Sequence, residues 1–240
     1  MRVAAIADVH CTRASAGTLR PLFRAAAAGA DVLALCGDLT AWGLPEEAIV
    51  LARELDDLAV PVLAVLGNHD FEVGAMAEIT RIVGAAGVRV LDGDAAEVRG
   101  VGFAGVKGFG GGFGAHQLQA WGEDAIKSFV QEAVAEATKL EAALAGLATP
   151  ERVALLHYAP IPDTCAGEPP EIYPFLGSSR LEDPLDRLPV AAVFHGHAHA
   201  GQPEGRTRGG VPVYNVAAPV LERAFPGHLP VRVVEIGGAR

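Results

Sequence analysis

Seven side chains able to hold a hard or borderline cation stand in five short clusters along the 240-residue chain. Asp8 and His10 lie in Asp-Val-His, Asp38 in Gly-Asp-Leu-Thr and Asn68 in Gly-Asn-His-Asp. His157 stands alone, and His197 and His199 lie in His-Gly-His-Ala-His. Carboxylate, amide and imidazole donors without a thiolate suit Mn, Fe, Zn or Co rather than copper or an iron–sulfur cluster. Seven donors are too many for one tetrahedral zinc, whereas two divalent ions sharing a bridging carboxylate would use them all. On an extended segment His197 and His199, two residues apart, would share one face. On a loop they reach two neighbouring ions, and Gly196, just before His197, allows close backbone approach. Helix caps and turns account for Asp and Asn at such places, but they have no use for imidazole, and six of the eight histidines fall in these clusters. His195 reads better as a buried histidine that orients a neighbour than as a ligand, and Asp70 as an orienting or capping residue.

Each cluster directly follows a short apolar run, at residues 3–7, 32–36, 62–66, 153–156 and 190–194. Such runs suit strands buried on both faces. Between the first two, Leu19, Leu22, Phe23 and Ala26 share one face of a helix starting near Thr18. Between the next two, Pro45, Glu46 and Glu47 open a second helix carrying Leu51, Leu55 and Leu58. This βαβαβ opening predicts a mostly parallel sheet, and ligands gather outside the carboxyl ends of such strands. Over residues 123–145 a helical period of Ile126, Phe129, Val130, Ala133, Val134, Ala137, Leu140 and Leu144 predicts a core-packing helix stopped by Gly146. Segments 101–106, 211–216 and 231–235 read as further strands that form a second sheet. With no internal repeat and no linker, the expectation is one domain over residues 1–240.

Taken in order across residues 8–199, this set resembles the calcineurin-like metallophosphoesterase superfamily. The short chain is similar to its small bacterial members and to the class III cyclic-nucleotide phosphodiesterases. The resemblance implies an α/β fold, a four-layer αββα sandwich of two mixed sheets flanked by helices. It implies that Asp8, His10, Asp38 and His199 hold one metal, and Asp38, Asn68, His157 and His197 the other. His69 matches the family's histidine that contacts phosphate and protonates the leaving group. Gly-Asp-Leu-Thr and Gly-Asn-His-Asp lack the longer signatures of the Ser/Thr protein phosphatases, and Cys11 stands where many members have Gly. The expected reaction is hydrolysis of a small-molecule phosphodiester or phosphomonoester by a hydroxide bridging two divalent metal ions. The rivals are a metal-binding scaffold of the same fold without turnover, and a nuclease-like member.

A formal net charge of -10 and the absence of a basic stripe set the chain against long nucleic acids and favour a small phosphorylated substrate. Cys11, Cys36 and Cys165 fit no disulfide framework, which suggests a reducing, cytoplasmic setting. No run approaches the ~18 apolar residues of a membrane span, and no signal-peptide pattern opens the chain. The Gly-rich segment 108–114 suits a lid, a phosphate cradle or a flexible surface connection. Arg206 and Arg208 follow the triple-histidine cluster as candidates to steer an anionic substrate.

Overall fold

A computed structural model describes residues 1–237 of the chain. Its strands are buried runs because alternate residues find apolar partners on opposite sides. In β1 (Arg2–Ile6), Val3 and Ala5 face one core while Ala4 and Ile6 face another, the two-residue period of extended chain. β1 pairs in parallel with β2 (Val32–Cys36), β2 with β3 (Val62–Val65) and β3 with β4 (Val88–Val90). A six-stranded second sheet comprises β5 (Asp94–Val98), β6 (Val101–Gly105), β7 (Glu151–Leu155), β8 (Ala192–His195), β9 (Glu204–Arg206) and β10 (Pro212–Asn215), in the order β5-β6-β7-β8-β10-β9. Its inner strands β6, β7, β8 and β10 are parallel, and both edges are antiparallel.

The last strand, β11 (Arg232–Glu235), corrects an expectation. It returns to the first sheet, antiparallel to β1, instead of joining β6 and β10. The apolar runs at 153–156 and 190–194 become β7 and β8 of the second sheet, so the five clusters descend from two sheets.

Val32, Ala34, Leu63 and Val65 of one sheet meet Phe103, Val153, Leu155 and Phe194 of the other. Outside the first sheet lie α1 (Arg20–Ala27), α2 (Pro45–Leu55) and α3 (Met76–Ala85), whose Phe23, Leu51 and Ile79 are fully buried. Outside the second lie α4 (Asp124–Ala145) and, beyond the short α5 (Tyr173–Leu176), α6 (Ser179–Arg187), burying Leu140, Leu144, Leu181 and Leu185. α7 (Ala218–Ala224) adds Leu221 to the core between the sheets. The result is the four-layer αββα sandwich. Each fully buried Leu, Ile or Phe contributes roughly 1.5–3 kcal/mol.

α1 begins at Arg20, close to the expected start near Thr18, and the N–H groups leading into it are capped from another helix: Glu54 of α2 accepts from Gly17 (2.7 Å), Leu19 (3.0 Å) and Arg20 (2.8 Å). α2 ends at Leu55 and leaves Leu58, expected on it, outside. α4 ends at Gly146 as expected, yet its apolar stripe is narrower, with Ile126 and Val134 exposed. No helix among the described residues is long and apolar enough to cross a membrane.

Candidate metal centre

The ends of β1 and β2 are stitched together beyond the sheet. Asp8 N–H donates to Gly37 O, His10 N–H to Asp38 O and Cys11 N–H to Leu39 O, each at 3.0 Å. This path forces unusual backbone. Asp8, His10, Asp38 and His197 have φ of 58°, 41°, 50° and 70°, four of the six positive-φ non-glycine residues among those described. Each such residue costs on the order of 1–3 kcal/mol and persists only where the surroundings over-determine it. The glycines before Asn68 and His197 answer to close approach: a Cβ on Gly67 would overlap the Asp38 carboxylate, and one on Gly196 would overlap that of Asp8 and lie 2.5 Å from Ala7 Cβ.

All seven donors predicted from the sequence converge there. Donor atoms of Asp8, His10 and His199 lie within 4.8 Å of one another, as do those of Asp38, His157 and His197. Asp8 and Asp38 are almost wholly buried and His157 entirely so. His10 Nε2 lies 3.9 Å from Asp38 Oδ2, and His157 Nε2 lies 3.4 Å from Asp38 Oδ1 and 3.0 Å from Asn68 Oδ1.

Backbone carbonyls fix the imidazole tautomers. His157 Nδ1 donates to Cys36 O at 3.0 Å, which turns Nε2 toward Asn68 and Asp38. His197 Nε2 faces Phe175 O at 3.0 Å, which turns the Nδ1 lone pair toward the cleft. Burial, helped by neighbouring His157, pushes the His197 pKa down to about 3, so the imidazole is in the neutral, ligating form. Burial also lowers His10. Burial opposes ionisation of Asp8, but the His199 hydrogen bond (2.9 Å) and the nearby histidines outweigh it and hold the carboxyl below the ordinary carboxylate range. The same bond raises His199. The outcome is a cleft in which buried Asp8 and Asp38 carboxylates, the Asn68 amide oxygen and the neutral His197 imidazole converge, a donor set that suits a divalent ion.

His69 sits on the open side. Its Nδ1 donates to Ala41 O at 2.7 Å, its backbone N–H donates to Asp38 Oδ1 at 2.9 Å, and Nε2 lies 3.9 Å from Asp38 Oδ2. His10, Asp38 and His69 also have donor atoms within 4.8 Å of one another, so geometry alone admits His69 as a ligand.

Sequence reasoning did not find how much Asp70 does. Fully buried, it accepts hydrogen bonds from Gly67 N (2.8 Å), Leu39 N (3.1 Å), Thr40 N (2.8 Å) and Thr40 Oγ1 (2.6 Å), tying the loop of Asp38 to that of Asn68. His195 is buried with Nδ1 on Gly196 O and Nε2 on Thr164 Oγ1, both 2.8 Å, and burial lowers its pKa to about 4. Arg206 bonds to Gly210 O, and Arg208 pairs with Glu182 and Asp183 of α6. The Gly-rich segment 108–114 is not a loose surface connection. Its residues 110–113 are buried, and Gly111, Gly112 and Gly114 donate to Pro174 O, Gly177 O and Ser179 Oγ.

Comparison with known proteins settles the family. The profile of the calcineurin-like phosphoesterases matches residues 1–201. This chain belongs to that family. Its members are phosphoesterases, and divalent metals serve them. No curated protein matches by sequence. Among solved structures the fold is similar to phosphopantetheinyl hydrolase (PptH) from Mycobacterium tuberculosis, with a TM-score of 0.67 and 16% identity over 97% of this chain and 95% of that one. It is similar to TT1561 of Thermus thermophilus, with a TM-score of 0.56 and 17% identity over 100% and 99%. A putative 5'-nucleotidase from Staphylococcus aureus, in complex with alpha-ketoglutarate, gives a TM-score of 0.51 and 14% identity over 89% of this chain and 48% of that one. At these identities the likeness is one of fold.

Proposed function

We propose that this chain, acting as one domain, hydrolyses phosphate mono- or diesters of small organic molecules. Asp8, His10, Asp38, Asn68, His157, His197 and His199 hold two divalent cations, with Asp38 shared, and His69 delivers a proton. The observation that carries this is the convergence of the seven side chains on one cleft, with donor atoms of Asp8, His10 and His199, and again of Asp38, His157 and His197, within 4.8 Å of one another and Asn68 Oδ1 3.0 Å from His157 Nε2. Divalent cations, when bound, offset charge on the phosphoryl oxygens and make water a stronger nucleophile near neutral pH. The chain's own part is positional. The Cys36 and Phe175 carbonyls hold the two imidazoles in register, and Asp70 fixes the loops that present Asp38 and Asn68. As water adds to phosphorus, the P–O ester bond breaks and its electron pair stays on the alcohol oxygen, which takes the Nε2 proton of His69. Ala41 O, accepting from Nδ1, keeps that ring turned toward the cleft. The three buried, unpaired cysteines suit a reducing cytoplasm.

The test is His69→Ala compared at matched metal occupancy on esters of poor and good leaving groups. The expected loss is roughly 10²- to 10⁴-fold for alkyl esters, and much less for nitrophenyl esters, whose leaving oxygen needs less protonation. An equal loss on both would assign His69 to phosphate positioning, and loss of metal would make it a ligand. Wild-type protein that binds metal but cleaves no ester would be a scaffold.

A further inference from the structure

Beside the candidate centre lies a cavity of about 550 Å³ that the hydrolytic machinery does not use, within the range of small-molecule sites. Its position follows from strand order. Asn68 and His69 follow β3, and β4 is the next strand outward; His157 follows β7, and β6 is the next strand outward. The cavity is walled by Leu66 just after β3, Val90 and Leu91 at the end of β4, and Lys107 two residues after β6. It therefore opens at the same carboxyl ends as the centre, one strand along in each sheet. The two share walls. Phe71 lines the cavity and belongs to the same 3-10 turn as His69 (His69–Phe71), and the carbonyl of Lys107 accepts from the N–H groups of His157 (3.0 Å) and Tyr158 (3.1 Å).

The charge of the cavity wall is already engaged. The Lys107 ammonium donates to Gly108 O at 2.8 Å, lies 4.0 Å from Glu132, and sits 4.7–5.3 Å from the ring centroids of Phe71, Phe109 and Tyr158. Asp92 at the rim is held by Lys139 at 3.0 Å. What remains is an apolar chamber of Leu66, Phe71, Met76, Val90 and Leu91 on the His69 side of the cleft.

We infer that this cavity receives the apolar body of the alcohol that departs when the ester is cleaved, so that the chain prefers phosphoesters of hydrophobic alcohols over those of sugars. The inference rests on the hydrolytic function proposed above.

The test is a series of n-alkyl phosphates and methyl n-alkyl phosphates from methyl to octyl. kcat/KM is expected to rise roughly fourfold per methylene until the chamber is full. Ala77→Phe and Thr80→Trp, two lining positions of α3 away from the candidate ligands, should each flatten the series and leave methyl phosphate unchanged. A second measurement needs neither turnover nor metal. The chain has two methionines, Met1 and Met76, so in protein labelled with ¹³C-methyl methionine 1-hexanol should shift the Met76 resonance and not that of Met1. An active enzyme indifferent to chain length, with an unmoved Met76 signal, overturns the inference. A preference for ω-carboxyalkyl over alkyl phosphates also overturns it, by showing Lys107 free to bind an anion. A shifted Met76 signal with no ester cleaved supports the cavity as an apolar site and sinks the hydrolytic function instead.

Discussion

Replacing Asp70 with asparagine tests whether a buried carboxylate outside the proposed ligand set holds that set in place. All four of its partners are donors: the N–H groups of Gly67, Leu39 and Thr40 and the Thr40 hydroxyl. Asparagine keeps one acceptor oxygen and turns an NH2 toward the other pair. With the oxygen retained on Thr40, the N–H groups of Gly67 and Leu39 face a donor. Each buried group left unpaired costs about 1–3 kcal/mol, so the pair costs ~2–6 kcal/mol. Burial already opposes ionisation of Asp70 and holds its carboxyl above the usual range. A neutral amide recovers part of that penalty, so the lower part of the interval, ~2–4 kcal/mol, is expected. Urea denaturation of metal-free protein measures it as a fall in midpoint at unchanged slope. Manganese titration should show affinity weakened roughly 10- to 100-fold, as for other residues that orient ligands. A variant within about 0.5 kcal/mol of wild type, binding manganese equally well, would refute the view that Asp70 ties the two loops together.

The Glu54 carboxylate, with burial opposing ionisation and three backbone N–H groups favouring it, is held below its ordinary value of 4.5. Its stabilisation is therefore complete above that value and lost as pH falls through the lowered one, so Glu54→Gln should be less stable than wild type at pH 7 and converge with it in strong acid, as thermal melts across pH would show. Gly196→Ala drives a methyl into the Asp8 carboxylate; metal titration should show at least roughly tenfold weaker binding, on the scale seen when metal-site geometry is disturbed, and wild-type affinity would contradict the stated crowding. Asp38→Ala should strip both metal equivalents while His199→Ala spares one, and elemental analysis finding the same loss in both variants would remove Asp38 as the shared ligand.

The donor set was legible because imidazole has few structural uses at strand ends, so histidines beside Asp and Asn betray chemistry that caps do not need. The sandwich's long inner strands were legible for a similar reason, since runs such as 32–36 are apolar on both faces. What could not be read depends on distant partners. Val-Arg-Val of β4 and Asp-Ala-Ala-Glu-Val of β5 are strands only because β3 and β6 pair with them. Nothing within residues 231–235 says which sheet β11 will join. The Glu54 cap acts across more than thirty residues, and neither it nor the four donors around Asp70 leave a local pattern. The tautomers of His157 and His197 depend on Cys36 and Phe175, neither of which has a side chain that advertises the role.

The candidate ligands come from both sheets: Asp8, His10, Asp38 and Asn68 from one, His157, His197 and His199 from the other. The chain that leaves the ribosome thus carries scattered imidazoles but no cleft, and scattered imidazoles rank metals by intrinsic affinity, copper and zinc first. Discrimination by shape begins only after the sheets have closed, when the cleft meets whatever ions its surroundings hold.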